Sequence, residues 1–199
     1  MILYSIITII CLALVITLNT VFNPAQSEYW WFYLVYSLAV AIIAFLLDGL
    51  IAFIIRRMPE KWFSYKRHMF KASDKEMRFY KFIKVDAWKN FVPELGGFTS
   101  FHKDRVVDPN NNEYMKRFIL EACYGVSIHI WSVPASFLLL LLDYKMYTGN
   151  SVLWLTICLP IAVVNAILIL LPAFILKYNL RRLTKIYELN LKKEETAVK

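Results

Sequence analysis

The chain has 199 residues, of which 59% are hydrophobic and 16% aromatic, and its formal net charge is +8. Soluble domains contain roughly 45–50% apolar residues even when glycine is counted, so this composition excludes an ordinary soluble domain. The mean hydropathy of +0.48 indicates a small integral membrane protein instead.

Four hydrophobic stretches are long enough for the roughly 20 residues that a helix needs to cross a bilayer. They cover about 2–22, 29–55, 118–142 and 151–176. The first lacks the basic start and the small-residue cleavage site of a secretory signal, so we expect it to be retained as a helix. The sequence therefore predicts an all-α membrane protein with four transmembrane helices arranged as two hairpins.

The basic residues indicate on which side of the membrane the connections lie. All but Lys145 of the 23 Lys and Arg residues fall between the second and third spans or in the tail. The positive-inside rule places both segments and both termini in the cytoplasm, with the protein in the inner cell membrane. The predicted organisation is a first hairpin (1–55), a cytoplasmic interfacial segment (56–117), a second hairpin (118–176) and a basic tail (177–199). The positive charge then attracts anionic lipid, and nucleic-acid binding is not expected.

Asp48 and Gly49 interrupt the second span before its cytoplasmic end. An ionisable side chain at membrane depth is expensive unless it faces other helices, a cavity or the head groups. Asp48 therefore lies either in the bundle interior or, if the helix is tilted, near the head groups. The sequence alone leaves both readings open.

The cytoplasmic segment alternates aromatic and basic side chains from Trp62 to Trp88, which is typical of an amphipathic helix lying in the membrane interface. Ser73 followed by Glu76 forms a capping box and predicts that a helix begins there. Gly96–Gly97 and 108–110 carry turn chemistry, and the double glycine favours a turn over a ligand-binding loop.

The third span carries two ionisable residues, Glu121 and His129. At 100° per residue, they share an arc of about 80° with Gly125, Ser132 and Ser136. Apolar residues are expected on the opposite side: Val126, Ile130, Pro134 and Phe137. This small and polar stripe is suited to facing other helices or a wet cavity.

Glu121 and His129 are separated by about 12 Å along one helix, so they cannot form a direct dyad. Imidazole is well matched to proton transfer near neutral pH, which favours His129 as a catalytic base. The alternative is that His129 is a hydrogen-bonded packing residue and Glu121 lies among the head groups.

The last span and the tail contribute Asn165 and the sequence "KYNLRRL". Tyr178, Asn179, Arg181 and Arg182 could hold a phosphate through forked guanidinium bonds, or they could simply anchor the helix at the cytoplasmic face. The three cysteines lie in apolar runs without ligand spacing, so no metal site is predicted.

Several of these motifs resemble the glycosyl-4,4'-diaponeurosporenoate acyltransferases, small bacterial membrane enzymes. The resemblance begins near Met58 and rests on "MPEKWF", "FYKFIKVDAWK", the E-x7-H-x2-S pattern that ends at Ser132, and Asn165 with "KYNLRRLTKI". It implies transfer of a fatty acyl group from a thioester, acyl-CoA or acyl carrier protein, to a hydroxyl of a membrane lipid or glycolipid, with no bound cofactor.

The resemblance also implies residue roles. His129 would be the catalytic base, and Glu121 would act with it by orienting a partner. The implied substrate-binding residues are Trp88, Lys89, Ser132, Asn165, Tyr178, Asn179, Arg181 and Arg182. Two alternatives remain open: a lipid-binding or assembly subunit, and a small membrane methyltransferase or reductase. The sequence leaves the oligomeric state undetermined.

Overall fold

The computed structural model describes residues 2–22, 30–92, 106–143 and 152–197, and all regular structure in these ranges is helical. The α-helices are α1 (Ile2–Phe22), α2 (Trp30–Arg57), α3 (Asp74–Phe82), α4 (Val85–Trp88), α5 (Asn112–Ser136) and α6 (Leu159–Ala197). Short 3-10 turns occur at Glu60–Phe63, His68–Phe70, Lys89–Phe91 and Phe137–Leu142, and Trp154–Cys158 is π-helical. No β-strand occurs in these ranges, in agreement with the predicted all-α class.

Three helical segments among the described residues are long and apolar enough to cross a membrane: Trp30–Arg57, Asn112–Leu142 and Trp154–Thr196. They correspond to the second, third and fourth predicted spans. The apolar part of α1, Ser5–Val21, is shorter, so the first span stays a prediction. The connections that would close the two hairpins, 23–29 and 144–151, lie outside the described residues, as do Gly96 and Gly97.

The apolar helices leave large side chains uncovered. Ile42, Phe45 and Leu46 on α2 are more than half exposed. Exposed apolar surface of this extent would be unfavourable in water, whereas lipid tails solvate it readily. This surface is therefore typical of a helix that faces lipid.

The chain divides into two compact units, of which the first comprises Met1–Ile54 and Ile130–Leu170. Its core combines small and large apolar side chains, so that helices approach closely and pack without polar partners. The buried core residues are Val15, Tyr33, Val40, Ala44, Leu139, Ile157, Cys158, Ile161 and Ala162.

Side chains complete the irregular backbone around the π-helical turn of this unit. Asn19 Nδ2 donates to the Thr156 carbonyl at 3.1 Å and to the Val15 carbonyl at 2.8 Å. The Trp154 amide donates to Asp143 Oδ2 at 2.9 Å. Backbone groups away from water must be satisfied internally, and these bonds supply partners where the regular helical ladder is interrupted.

The second unit comprises Ile55–His129 and Leu171–Lys199. The predicted capping box is confirmed: the Glu76 amide donates to Ser73 Oγ at 3.2 Å, and the Ser73 amide donates to Glu76 Oε2 at 2.7 Å. These bonds satisfy amides at the start of α3 that have no partner within the helix. At its other end, Lys84 adopts a left-handed conformation (φ 52°) that separates α3 from α4.

Within the second unit, α3 packs against α6 through aromatic rings. The Phe174 ring on α6 lies 5.8 Å from the Phe79 ring and 5.6 Å from the Tyr80 ring, measured between centroids. Pro109 lies in the turn predicted at 108–110, and its carbonyl accepts a hydrogen bond from Asn190 Nδ2 at 2.7 Å. Residues 56–117 therefore contact α6 at two separate places, at α3 and at the turn around Pro109.

Candidate active site

The residues of the predicted polar stripe follow one another along α5. Ser132 and Ser136 are 1% and 2% exposed, whereas Pro134 and Phe137 on the other side are exposed. Pro134 and Phe137 were both expected on the side of the helix opposite the stripe. Val126 was also expected there, but it is fully buried. The first half of α5 is covered on its apolar side as well as along the polar stripe.

At Gly125, α5 packs closely against α6 in the second unit. A Cβ atom built at Gly125 would lie 2.7 Å from Leu176 Cδ1. Glycine leaves room here for the Leu176 side chain, and a larger residue would require that flexible side chain to shift, as at the small-residue contacts of membrane helices. This part of the stripe therefore faces another helix, as predicted.

His129 lies eight residues beyond Glu121 on the same helix and is partly buried. Among the residues described, no side chain makes a hydrogen bond to its imidazole. Neutral imidazole carries one donor and one acceptor nitrogen, so this ring retains the capacity to accept a proton from a bound hydroxyl.

Glu121 is held by two arginines. Arg56 Nη1 donates to its Oε2 at 2.9 Å, and Arg117 Nη2 donates to its Oε1 at 2.8 Å. Arg117 also pairs with Glu60 at 3.3 Å, and the Arg56 guanidinium lies 5.9 Å from the centre of the Tyr124 ring. Both carboxylate oxygens are thus engaged, which favours an orienting role for Glu121 over proton transfer.

Asp48 faces α6 within the first unit. Asn165 Nδ2 lies 3.5 Å from Asp48 Oδ2 and donates to Ser136 Oγ at 3.0 Å, while Ser136 Oγ donates to the Ser132 carbonyl at 3.0 Å. The structure thus supports the bundle-interior reading of Asp48, which the sequence left open. It also brings two predicted binding residues, Ser132 and Asn165, into one polar cluster.

The basic residues in the second half of α6 are paired with carboxylates of α3 and α4. Lys177 donates to Glu76 Oε1, and Arg181 Nη2 lies 2.7 Å from Asp74 Oδ1. Burial disfavours the charged form of Glu76, but hydrogen bonds from Lys177 and Ser73 outweigh it and leave the pKa of that carboxyl below its usual value. These pairs therefore attach α3 to α6.

Asp86 on α4 forms a second group of polar contacts with predicted binding residues. Lys89 Nζ lies 2.7 Å from Asp86 Oδ1, and the Tyr178 hydroxyl donates to Oδ2. These two hydrogen bonds lower the pKa of the Asp86 carboxyl, and the nearby positive charge of Arg182 acts in the same direction. The three carboxylates at positions 74, 76 and 86 were not identified from the sequence as partners of the basic tail, although they stand out as acidic residues in a basic segment.

The remaining predicted binding residues have simpler surroundings. Trp88 Nε1 donates to the Ile83 carbonyl at 2.8 Å, so the ring is held against the end of α3. Asn179 is partly buried, and Arg182 is exposed. In the described part of the chain, no group of three or more His, Cys, Asp or Glu side chains is arranged to hold a metal ion.

Taken as a class, the chain is a small all-helical protein whose long apolar helices are of membrane-spanning type. Residues 59–189 match the glycosyl-4,4'-diaponeurosporenoate acyltransferase family, and the chain belongs to that family. The resemblance found in the sequence motifs is thereby confirmed. The family name describes an acyltransferase that acts on a glycosylated carotenoid acid. No curated protein and no solved structure matches the chain.

Proposed function

We propose that this protein is an integral membrane acyltransferase that moves a fatty acyl group from a thioester donor to a hydroxyl of a membrane glycolipid. The observation that carries the proposal is the family match, which covers well over half of the chain and includes His129. A glycosylated carotenoid acid is the acceptor class that the family name supports. Acyl-CoA or acyl carrier protein would be the donor.

The proposed setting is the inner cell membrane, with both termini in the cytoplasm and α1 as a fourth span. The concentration of Lys and Arg in 56–117 and 177–199 supports this orientation. Exposed aromatic side chains on the cytoplasmic segment, including Trp62, Phe82 and Phe91, support its position at the membrane interface.

In the proposed reaction, His129 accepts the proton of the acceptor hydroxyl as its oxygen attacks the thioester carbonyl carbon. A new C–O bond forms and the C–S bond breaks. The leaving thiolate then takes the proton back from the imidazolium, so that an ester and a free thiol result. General base catalysis of this kind contributes about 10²–10⁴-fold to the rate.

The donor carries phosphate groups that require cations at the cytoplasmic face. We propose Arg182 as the first contact because it is exposed, with Arg181, Lys89, Tyr178, Asn179 and Trp88 completing the site. Lys89 and Arg181 are already paired with carboxylates, so donor phosphate would compete with Asp86 and Asp74 for them. Glu121 serves as a positioning residue through its arginines.

Purified protein in nanodiscs, supplied with radiolabelled acyl-CoA and a glycosylated carotenoid acid, should produce a new acylated lipid. His129→Ala should abolish this product, whereas His68→Ala should retain it because His68 is exposed on a 3-10 turn outside the long apolar helices. Full activity of His129→Ala would contradict the proposed base. Unchanged lipids together with the loss of a co-purifying protein would favour the assembly subunit instead.

A further inference from the structure

A second polar site lies in the first unit, apart from the basic residues of the cytoplasmic face. It is formed by Asp48 on α2, Ser132 and Ser136 on α5, and Asn165 on α6. Asp48 lies nine residues before the end of α2, which is about 14 Å of helix and well inside a hydrocarbon core roughly 30 Å thick. Polar groups at such depth require either internal partners or a ligand.

The internal partners are incomplete. The contact from Asn165 Nδ2 to Asp48 is 3.5 Å long, at the limit of a hydrogen bond and well beyond the usual length of about 2.9 Å. A carboxylate can accept about four hydrogen bonds. Asp48 therefore keeps acceptor capacity for a donor that the protein does not supply at ideal distance.

Ser132 provides the complementary group. Its hydroxyl is buried and has no hydrogen-bond partner of normal length and angle among the described residues, although it lies close enough to the Asp48 carboxyl to interact with it as a donor. A buried hydroxyl without a partner is unfavourable because its lost hydration is not compensated. Ser136, by contrast, both donates to the Ser132 carbonyl and accepts from Asn165. A donor without a well-formed hydrogen bond thus stands next to an under-occupied acceptor.

This donor–acceptor arrangement determines which ligand fits. A hydroxyl group can donate to Asp48 and accept from Ser132 at the same time. An anionic group would be repelled by Asp48, and a saturated acyl chain would use neither residue. Asp48 and Asn165 are only partly buried, so both keep some accessible surface.

We propose that Asp48, Ser132 and Asn165 form a binding site for a hydroxyl of a lipid-linked sugar within the membrane region. Asp48 accepts the hydrogen bond of the ligand hydroxyl, and Ser132 donates to its oxygen. Asp48 lies outside the residues that match the family, whereas Ser132 and Asn165 lie inside them. That the bound sugar is the acyl acceptor rests on the proposed function, but binding itself does not.

The test measures equilibrium binding of radiolabelled dodecyl β-glucoside to the full chain in nanodiscs, with protein-free nanodiscs subtracted. Asp48→Asn should weaken binding about tenfold to hundredfold, since a hydrogen bond to a charged group is lost. Ser132→Ala should weaken it about three- to tenfold. Thr20→Val is the matched control, because the Thr20 hydroxyl donates to the Ile16 carbonyl of its own helix. The Thr20→Val protein should bind the glucoside with the affinity of the wild type.

Thermal unfolding of each variant separates binding from folding. Ser132 Oγ makes no hydrogen bond of normal geometry among the described residues, so Ser132→Ala should keep or raise its melting temperature while losing affinity. The proposal is overturned if the wild type binds no better than empty nanodiscs, or if Asp48→Asn and Ser132→Ala both bind as the wild type does. Wild-type binding that is weakened by both variants, without any acyl transfer, would support this site and refute the proposed function instead.

Discussion

Glu121 offers the most direct test of how the first half of α5 is stabilised. Its side chain is 9% exposed, while its partners Arg56 and Arg117 are 43% and 50% exposed. A hydrogen bond to a charged group contributes about 1.5–3 kcal/mol when it is shielded, and exposed pairs contribute about 0.2–1 kcal/mol. Because Glu121 is nearly buried while both arginines are about half exposed, we assign about 1 kcal/mol to each of the two bonds.

Glu121→Gln keeps the shape but replaces one acceptor oxygen with an amide donor that faces a guanidinium. We expect the free energy of unfolding to fall by about 1–2 kcal/mol, because one bond is lost and the other is weakened. The assay is reversible unfolding in mixed micelles of increasing SDS content, followed by tryptophan fluorescence. Glu194→Gln makes the same chemical change at an exposed position on α6 and should stay within about 0.5 kcal/mol of the wild type.

Turnover completes the test. If Glu121 only positions its partners, Glu121→Gln should lower the rate of acyl transfer by less than about tenfold. Loss of a group that transfers a proton would lower the rate by about 10²–10⁴-fold. A double-mutant cycle with Arg117→Met should give a coupling of about 1 kcal/mol. Unchanged unfolding together with a hundredfold loss of turnover would refute the reasoning and show that Glu121 takes part in the chemistry.

Two further predictions concern α6. Hydrogen bonds outweigh burial and hold the pKa of Glu76 below its ordinary value of 4.5. The contact between α3 and Lys177 should therefore be fully present above pH 4.5 and be lost as the pH falls below the lowered pKa. Limited proteolysis of α3 at decreasing pH should show this loss, and the same acid profile in a Glu76→Gln protein would contradict it. Gly125→Ala should be nearly neutral, because Leu176 can move aside and alanine favours the helix by about 1 kcal/mol. Gly125→Leu overpacks the same contact and should reduce the free energy of unfolding by about 1–3 kcal/mol in the same SDS assay. Equal stability of the two Gly125 variants would show that the helices do not approach closely there.

The fold class followed from the sequence because long apolar runs and side-chain spacing are local properties. The same holds for the capping box at Ser73 and for the burial of Ser132 and Ser136, which helical periodicity determines. The span assigned to α1 is only partly supported, because its described apolar stretch is shorter than those of the other three.

The pairing of side chains could not be predicted, because it depends on how distant segments meet. Asp48 and Asn165 are far apart in the chain, and no spacing rule connects them. The same is true of Lys177 and Glu76. The sequence indicates either a phosphate site or an anchor for the basic tail, and the structure adds a third role, in which Lys177 and Arg181 hold α3. Whether His129 transfers a proton stays a prediction.

The contact between α3 and α6 combines two kinds of interaction that respond differently to ionic strength. The rings of Phe79 and Phe174 meet through apolar contact, which added salt leaves intact, whereas the pair of Asp74 with Arg181 is exposed and is screened. At about 1 M salt the Debye length is only about 3 Å. A high-salt wash of membranes, used to remove peripheral proteins, would therefore weaken the exposed ion pairs of α6 while α3 stays packed against it. The salt concentration chosen for purification would then determine how many unpaired cations this surface presents to an anionic ligand.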